Sequence, residues 1–323
     1  MQRRRENAMG WQGFSSATSR LCVNSASLFK QFLTVMQRAR RLHRVHGEDV
    51  VTATNIDLAP NHKHGLAVTN PILLGCGAIG YGEAVPKGLD TAELGAVVVG
   101  PILSASRGGA QPPRLAHLTG GVVLETGLQN RGVGKIISHF ARYWPRLGCP
   151  VIAQVADDRT SILARTLARL REVEGLHGLE LLPPADVDAS LLTALVRAAE
   201  KASDLPVWVK LPLATSAALA PVAVDAGAVG LVVGQALPGA AIRRVDGTDA
   251  TVRGPLYGPL TFPPMLAALL DVAALHLPAA LIASGGIHTA AHVRQALAAG
   301  AAAVQIDSAL WVEPGLAGRL ARS

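Results

Sequence analysis

LIASGGIHTAAHVRQALAAGAAAVQIDSALW, residues 281–311, decides the fold. A continuous apolar run (LIA, 281–283) leads into Ser284 and a glycine pair. A helical pattern follows over 290–299, and a second apolar run (AVQI, 303–306) ends at Asp307 and Ser308. Apolar runs without alternation suit strands buried on both faces of a parallel sheet, and strand, helix, strand in this order is one βαβ unit.

Working outward, the same unit recurs. Further apolar runs stand at PILL (71–74), AVVV (96–99), VIAQV (151–155), LELL (179–182), VWVKL (207–211) and LVV (231–233), which makes eight candidate strands. Helical periodicity lies between them at 136–144, 160–174, 191–202 and 265–275. Eight such units close a single (β/α)8 TIM barrel, an α/β fold whose active site is built from the loops after the strands' C-terminal ends. Ser284-Gly285-Gly286 after strand seven and Ser308 after strand eight then leave backbone N–H groups open to an anion, where barrels hold phosphate. The competing reading is a tight strand-to-helix turn that needs glycine for its geometry alone.

Composition agrees with one large aliphatic core: 50% of the 323 residues are hydrophobic and only 4% aromatic. The formal charge of +7 is unevenly spread. Residues 1–49 hold nine Lys/Arg against three Asp/Glu, and the remainder is nearly neutral. Without a basic face or interleaved aromatics, the barrel is not expected to bind nucleic acid. Cys22, Cys76 and Cys149 form no metal-ligand or disulfide pattern, so a reducing cytoplasm and no metal are expected. No apolar run is long enough to span a bilayer. Residues 1–54 read as a basic N-terminal extension, either disordered, a misplaced start with Met9 or Met36 as alternatives, or a basic amphipathic helix over 28–45 that would be the one route to membrane contact. Residues 55–323 read as the barrel.

NPILLGCGAIGYGE (70–83), RGGAQPPRL (107–115), GLQNRGV (127–133), VKLPLAT (209–215), PLYGP (255–259) and the 281–311 stretch, in this order and spacing, resemble successive blocks of the dihydroorotate dehydrogenase family. The likeness is to its soluble class 1 branch, nearest the NAD-linked type. It implies a barrel holding FMN that oxidises dihydroorotate to orotate in pyrimidine biosynthesis. A Cys or Ser base takes the C5 proton while a hydride leaves C6 for the flavin. The matching flavin positions are Cys76, Gly77, Lys210, Gly258, Gly285, Gly286 and Ser308; those on the substrate side are Gly127, Leu128 and Gln235. The family also implies a homodimer, with an electron-transfer subunit or an active homologue as further partner.

The substrate side departs from the family. Its base falls at Ala185, and its flanking asparagines fall at Leu182 and Val187. Its strand-two lysine falls at Gly100, and further amides fall at Leu124, Gln154 and Gln235. A helix expected to start by Asp188–Leu191 leaves no length for the lid loop. Asp186, Glu125 and Tyr257 are the substitute bases to examine, and Asp307 stands where the family has glycine beside the phosphate. These losses point to an alternative, an inactive or substrate-shifted paralogue with a binding role. A third reading, an isomerase or aldolase barrel, would need a strand-end acid/base pair or a Schiff-base lysine, and Lys210 is the only such lysine.

Overall fold

All eight of the expected apolar runs become strands, and they pair in chain order into a closed parallel barrel. The strands are β1 (Ile72–Leu74), β2 (Ala96–Ile102), β3 (Val151–Val155), β4 (Gly178–Leu181), β5 (Val207–Pro212), β6 (Gly230–Gln235), β7 (Ala280–Ser284) and β8 (Ala303–Ile306). The ring closes where β8 pairs with β1 through Val304 opposite Ile72. The computed structural model describes residues 56–245 and 247–323, so the expectations for the basic extension lie outside the described residues.

Strand periodicity divides the apolar residues into two populations. Leu73, Val98, Ile152, Trp208, Val232 and Ile282 pack together inside the barrel. Their neighbours in sequence, among them Val97, Val99, Ala153, Val209, Val233 and Ala283, pack outward against the helices. This two-sided burial is why the runs read as continuous. The outer helices are α1 (Val133–Phe140), α2 (Thr160–Leu170), α3 (Ala189–Ala202), α4 (Ser216–Asp225), α5 (Phe262–Ala273), α6 (Ala290–Ala298) and α7 (Leu316–Ala321).

Helix ends depart from the periodicity where local chemistry intervenes. The 136–144 pattern starts earlier, after Gly132, and turns at Ala141 into a 3-10 segment that contains Pro145. The 265–275 helix begins at Phe262 because prolines are well placed in a first turn. The 160–174 helix stops at Leu170.

The N-terminal end of the barrel is closed by a short hairpin, Ile56–Asp57 against Ala67–Val68. Trp208 fills the space above it and donates its indole N–H to the Leu58 carbonyl at 3.0 Å. A Cβ on Gly178 or on Gly230 would collide with that indole, so the size of Trp208 is matched by side-chain-free neighbours on β4 and β6.

Sequence periodicity did not reveal the sheet at the other end. Residues 115–118, 121–124, 238–245 and 248–257 form a four-stranded antiparallel sheet inserted after β2 and β6. Its register sets Tyr257 opposite Val122 and Leu256 opposite Val123. Ala116, Val123 and Val252 make its small buried core. It carries Tyr257 to the mouth of the barrel.

Candidate functional site

At the C-terminal ends of β6, β7 and β8 lies a narrow cleft with a solvent-accessible interior of about 20 Å³, lined by Gly234, Tyr257, Ser284, the Gly285-Gly286 pair, Asp307 and Ser308 together with Thr261 and apolar neighbours. Six of the residues singled out in the sequence therefore meet, namely Tyr257, Ser284, Gly285, Gly286, Asp307 and Ser308. Ser308 is 3% exposed, and its hydroxyl has no hydrogen-bond partner among the described residues. A buried hydroxyl left without a partner costs free energy, about 1–3 kcal/mol in mutational series, which marks this atom as waiting for a ligand or water. Neither Gly285 nor Gly286 donates its N–H to another backbone group among the described residues. Gly286 is pressed against the backbone of Phe262, while a Cβ on Gly285 would meet nothing nearer than 3.8 Å, so the turn is open on its cleft side.

Asp307 does not point away from this cradle. Its carboxylate accepts the N–H of Ser308 and caps the 3-10 segment Ser308–Trp311. Tyr257 stands beside it and packs against Trp311 with ring centroids 5.4 Å apart. Burial first, and then the Asp307 charge, push the Tyr257 phenol up from its ordinary value. The hydroxyl stays protonated and is no base near neutral pH. His288, whose imidazole feels the Asp307 charge, is held down by burial, and its buried Nε2 has no partner among the described residues.

Beneath the cleft the barrel interior holds a polar cluster that was not read from the sequence as one unit. Glu180, 1% exposed, accepts Gln154 Nε2 on one carboxylate oxygen at 2.6 Å and Gln305 Nε2 on the other at 2.5 Å. Lys210 Nζ donates to Ser284 Oγ and to Gln305 Oε1, each at 3.0 Å, and stands 3.9 Å from Glu180 Oε1. Five strands thus contribute to a closed set of bonds, as buried charges require. The signal was there: a Gln or Glu interrupts each of the apolar runs VIAQV, LELL and AVQI. Gln154, matched above to an amide that holds substrate, is instead committed to Glu180. Lys210 reaches the cleft only through Ser284, and its ion pair with Glu180 leaves no role as a Schiff-base amine.

The remaining candidates lie apart. Ala185 and Asp186 sit on an exposed loop, while Val187 is buried. Asp188 caps α3 by accepting the Leu191 N–H at 2.7 Å, so the loop after β4 is as short as the sequence indicated. Glu125 is a turn cap: its carboxylate accepts the Gly127 N–H at 2.5 Å. Gly127 and Leu128 both take left-handed backbone, at φ 62° and 49°. Gln235 donates to the Pro183 carbonyl at 3.0 Å, and its Oε1 is buried without a partner among the described residues. Gly258 is required by its own turn, because a Cβ there would lie 2.6 Å from Gly121 Cα. Gly77 is exposed. Cys76 packs against the barrel interior, and burial raises its thiol well above the ordinary range. It is a packing group.

Gly100 lies in a register shift between β2 and β3, which pair through Val99 opposite Ala153 and again through Ile102 opposite Val155. Its φ is +133°, and an added Cβ would stand 2.8 Å from the Gln154 carbonyl oxygen. No side chain fits there without a backbone shift. Thr261, which bonds the Gly258 carbonyl at 2.9 Å, and Gly234, which crosses tightly over Ser284, complete the cleft wall and had no local signature in the sequence.

A family model described as dihydroorotate dehydrogenase matches residues 61–322. The chain is 34% identical over 272 residues to the dihydroorotate dehydrogenase B (NAD(+)) catalytic subunit of Desulforudis audaxviator, with 80% of this chain and 88% of that protein covered. It is 31% identical over 265 residues to the corresponding subunit of Anoxybacillus flavithermus, with 77% and 84% covered. Among solved structures, the dihydroorotate dehydrogenase of Eimeria tenella in complex with ferulenol superposes with a TM-score of 0.67 at 18% identity, covering 89% of this chain and 88% of that one.

Proposed function

Because this chain belongs to the dihydroorotate dehydrogenase family, we propose that its cleft holds a flavin, FMN by resemblance, and that the protein is a paralogue that has lost or shifted the family's substrate. The observation that carries the second half is the loop after β4. Its base position is Ala185, which takes no proton, and α3 begins at Asp188 before any lid could form.

The residues present fit a flavin in part. The unpartnered Ser308 hydroxyl and the open Gly285-Gly286 turn would hold its phosphate, and the Lys210–Ser284 pair lies under the cleft where the ring's pyrimidine edge would rest. Asp307 is the one group that disagrees. When bound, a flavin supplies a hydride acceptor. The protein would still have to remove a proton from the neighbouring carbon, and no side chain in reach is suited to it. Glu125 is tied to its own turn, Asp186 is exposed, and Tyr257 keeps its proton. Loss of a general base alone typically costs about 10²–10⁴ in rate. Loss of the amides that would pair with a planar polar substrate removes binding as well.

A second reading, oxidation of dihydroorotate to orotate as such, is favoured by the 34% identity to a protein named for that reaction. That relative's designation as a catalytic subunit also supports a further partner, whether an electron-transfer subunit or an active homologue, beside a homodimer. No helix among the described residues is long and apolar enough to cross a membrane. The two readings part on one preparation. The flavin-loaded protein is titrated with orotate and then mixed anaerobically with excess dihydroorotate. An unchanged spectrum and an oxidised flavin after minutes are expected; bleaching within seconds would establish the second reading and overturn the first.

A further inference from the structure

The phosphate end of the cleft is shaped for an oxyanion but charged against one. Ser308 and the glycine turn offer neutral donors, whereas Asp307 sets a carboxylate on the same wall and already takes the Ser308 N–H. No Lys or Arg lines the cleft to offset it. Lys210, one side chain below, is paired with Glu180 and bonded to Gln305. His288 is kept neutral by burial. A phosphomonoester brings about −1.5 to −2 charges near pH 7. A hydroxyl brings none, and it can donate to the carboxylate while accepting from the open N–H groups. Dinucleotide folds use the same chemistry when an acidic residue holds a ribose hydroxyl and a phosphate is refused.

Resting on the reading that the cleft holds a flavin, we propose that Asp307 is a specificity residue that makes the site take a flavin ending in a free hydroxyl, riboflavin, in preference to the phosphorylated form. Ser308 Oγ and the Gly285 and Gly286 N–H groups then receive the terminal hydroxyl of the ribityl chain, and Asp307 accepts its proton in a hydrogen bond.

The test uses the full chain freed of copurifying flavin, titrated separately with riboflavin and FMN and followed by quenching of flavin fluorescence, so that turnover plays no part. The wild-type chain is expected to bind riboflavin about tenfold or more tightly than FMN, given unlike effects of one unit charge at close range. Asp307→Asn keeps the shape and the cap on Ser308 but removes the charge, and should bring the ratio of the two dissociation constants down at least about tenfold. Asp307→Gly should carry it further, toward FMN. Equal or tighter FMN binding by the wild-type chain overturns the proposal while leaving the flavin reading intact, and so does a ratio unmoved in an Asp307→Asn variant that melts like the wild type. If neither flavin binds, the flavin reading itself falls, and the proposal with it.

Discussion

Replacing Lys210 with Met removes an ammonium from the centre of the barrel while nearly preserving volume. Glu180 is then left 1% exposed, with two amide donors and no counter-charge. At 3.9 Å the lost attraction is about 4 kcal/mol for an effective dielectric of about 20. Removing one partner of a buried pair costs about 3–5 kcal/mol as a rule. Glu180→Gln strands the lysine instead, and it also sets an amide N–H against a donor on Gln154 or Gln305, so a loss of about 3 kcal/mol is expected. The double variant has neither charge. It should lie within about 1–2 kcal/mol of the wild-type chain, because an uncharged replacement of a buried pair is often nearly neutral. Urea unfolding of the four proteins gives the coupling energy directly, and the losses above put it at about 4–7 kcal/mol. If the two single losses simply add, to within about 0.5 kcal/mol, the lysine and the glutamate do not sense each other and the cluster is not the closed unit described above.

Restoring a thiol by Ala185→Cys should not raise dihydroorotate turnover measurably, since the position lies on an exposed loop and Leu182 and Val187 supply no amides; rescue by that change alone would mean the substrate site is otherwise whole. Gly230→Ala should destabilise the fold by about 1–3 kcal/mol through overpacking against Trp208, and Trp208→Leu should relieve it, as read by the shift of the urea midpoint in the double variant. Burial pushes the Cys149 thiol up to about 12, against an ordinary 9.0 when unfolded. The folded state therefore keeps a proton that the unfolded state releases, so stability is full below about pH 9 and falls as pH rises toward 12. Urea midpoints measured across that window should fall less steeply for Cys149→Ala than for the wild-type chain.

The barrel was legible because its strands are buried on both sides, which leaves runs such as AVVV and LVV with nothing polar to break them. The antiparallel sheet at the mouth has the opposite character. Its strands are partly exposed and rich in Gly, Pro and Arg, and the Asp246-Gly247 dipeptide that signals a tight hairpin was the one local cue. The cradle could be read from Gly285, Gly286 and Ser308 because position after strands seven and eight is enough to suggest an anion site. Glu180 could not be read as part of a cluster from one run alone. Its partners come from β3, β5 and β8, and only closure of the barrel brings them within bonding distance.

The backbone at Gly100 restricts what can stand at this point of β2. At φ +133° and with the Gln154 carbonyl oxygen 2.8 Å from where a Cβ would stand, any side chain introduced there meets a strand that rejects it. A lysine placed at this position would require the strand to be re-laid first, so the mouth of the barrel is open to change in its loops and closed to it here.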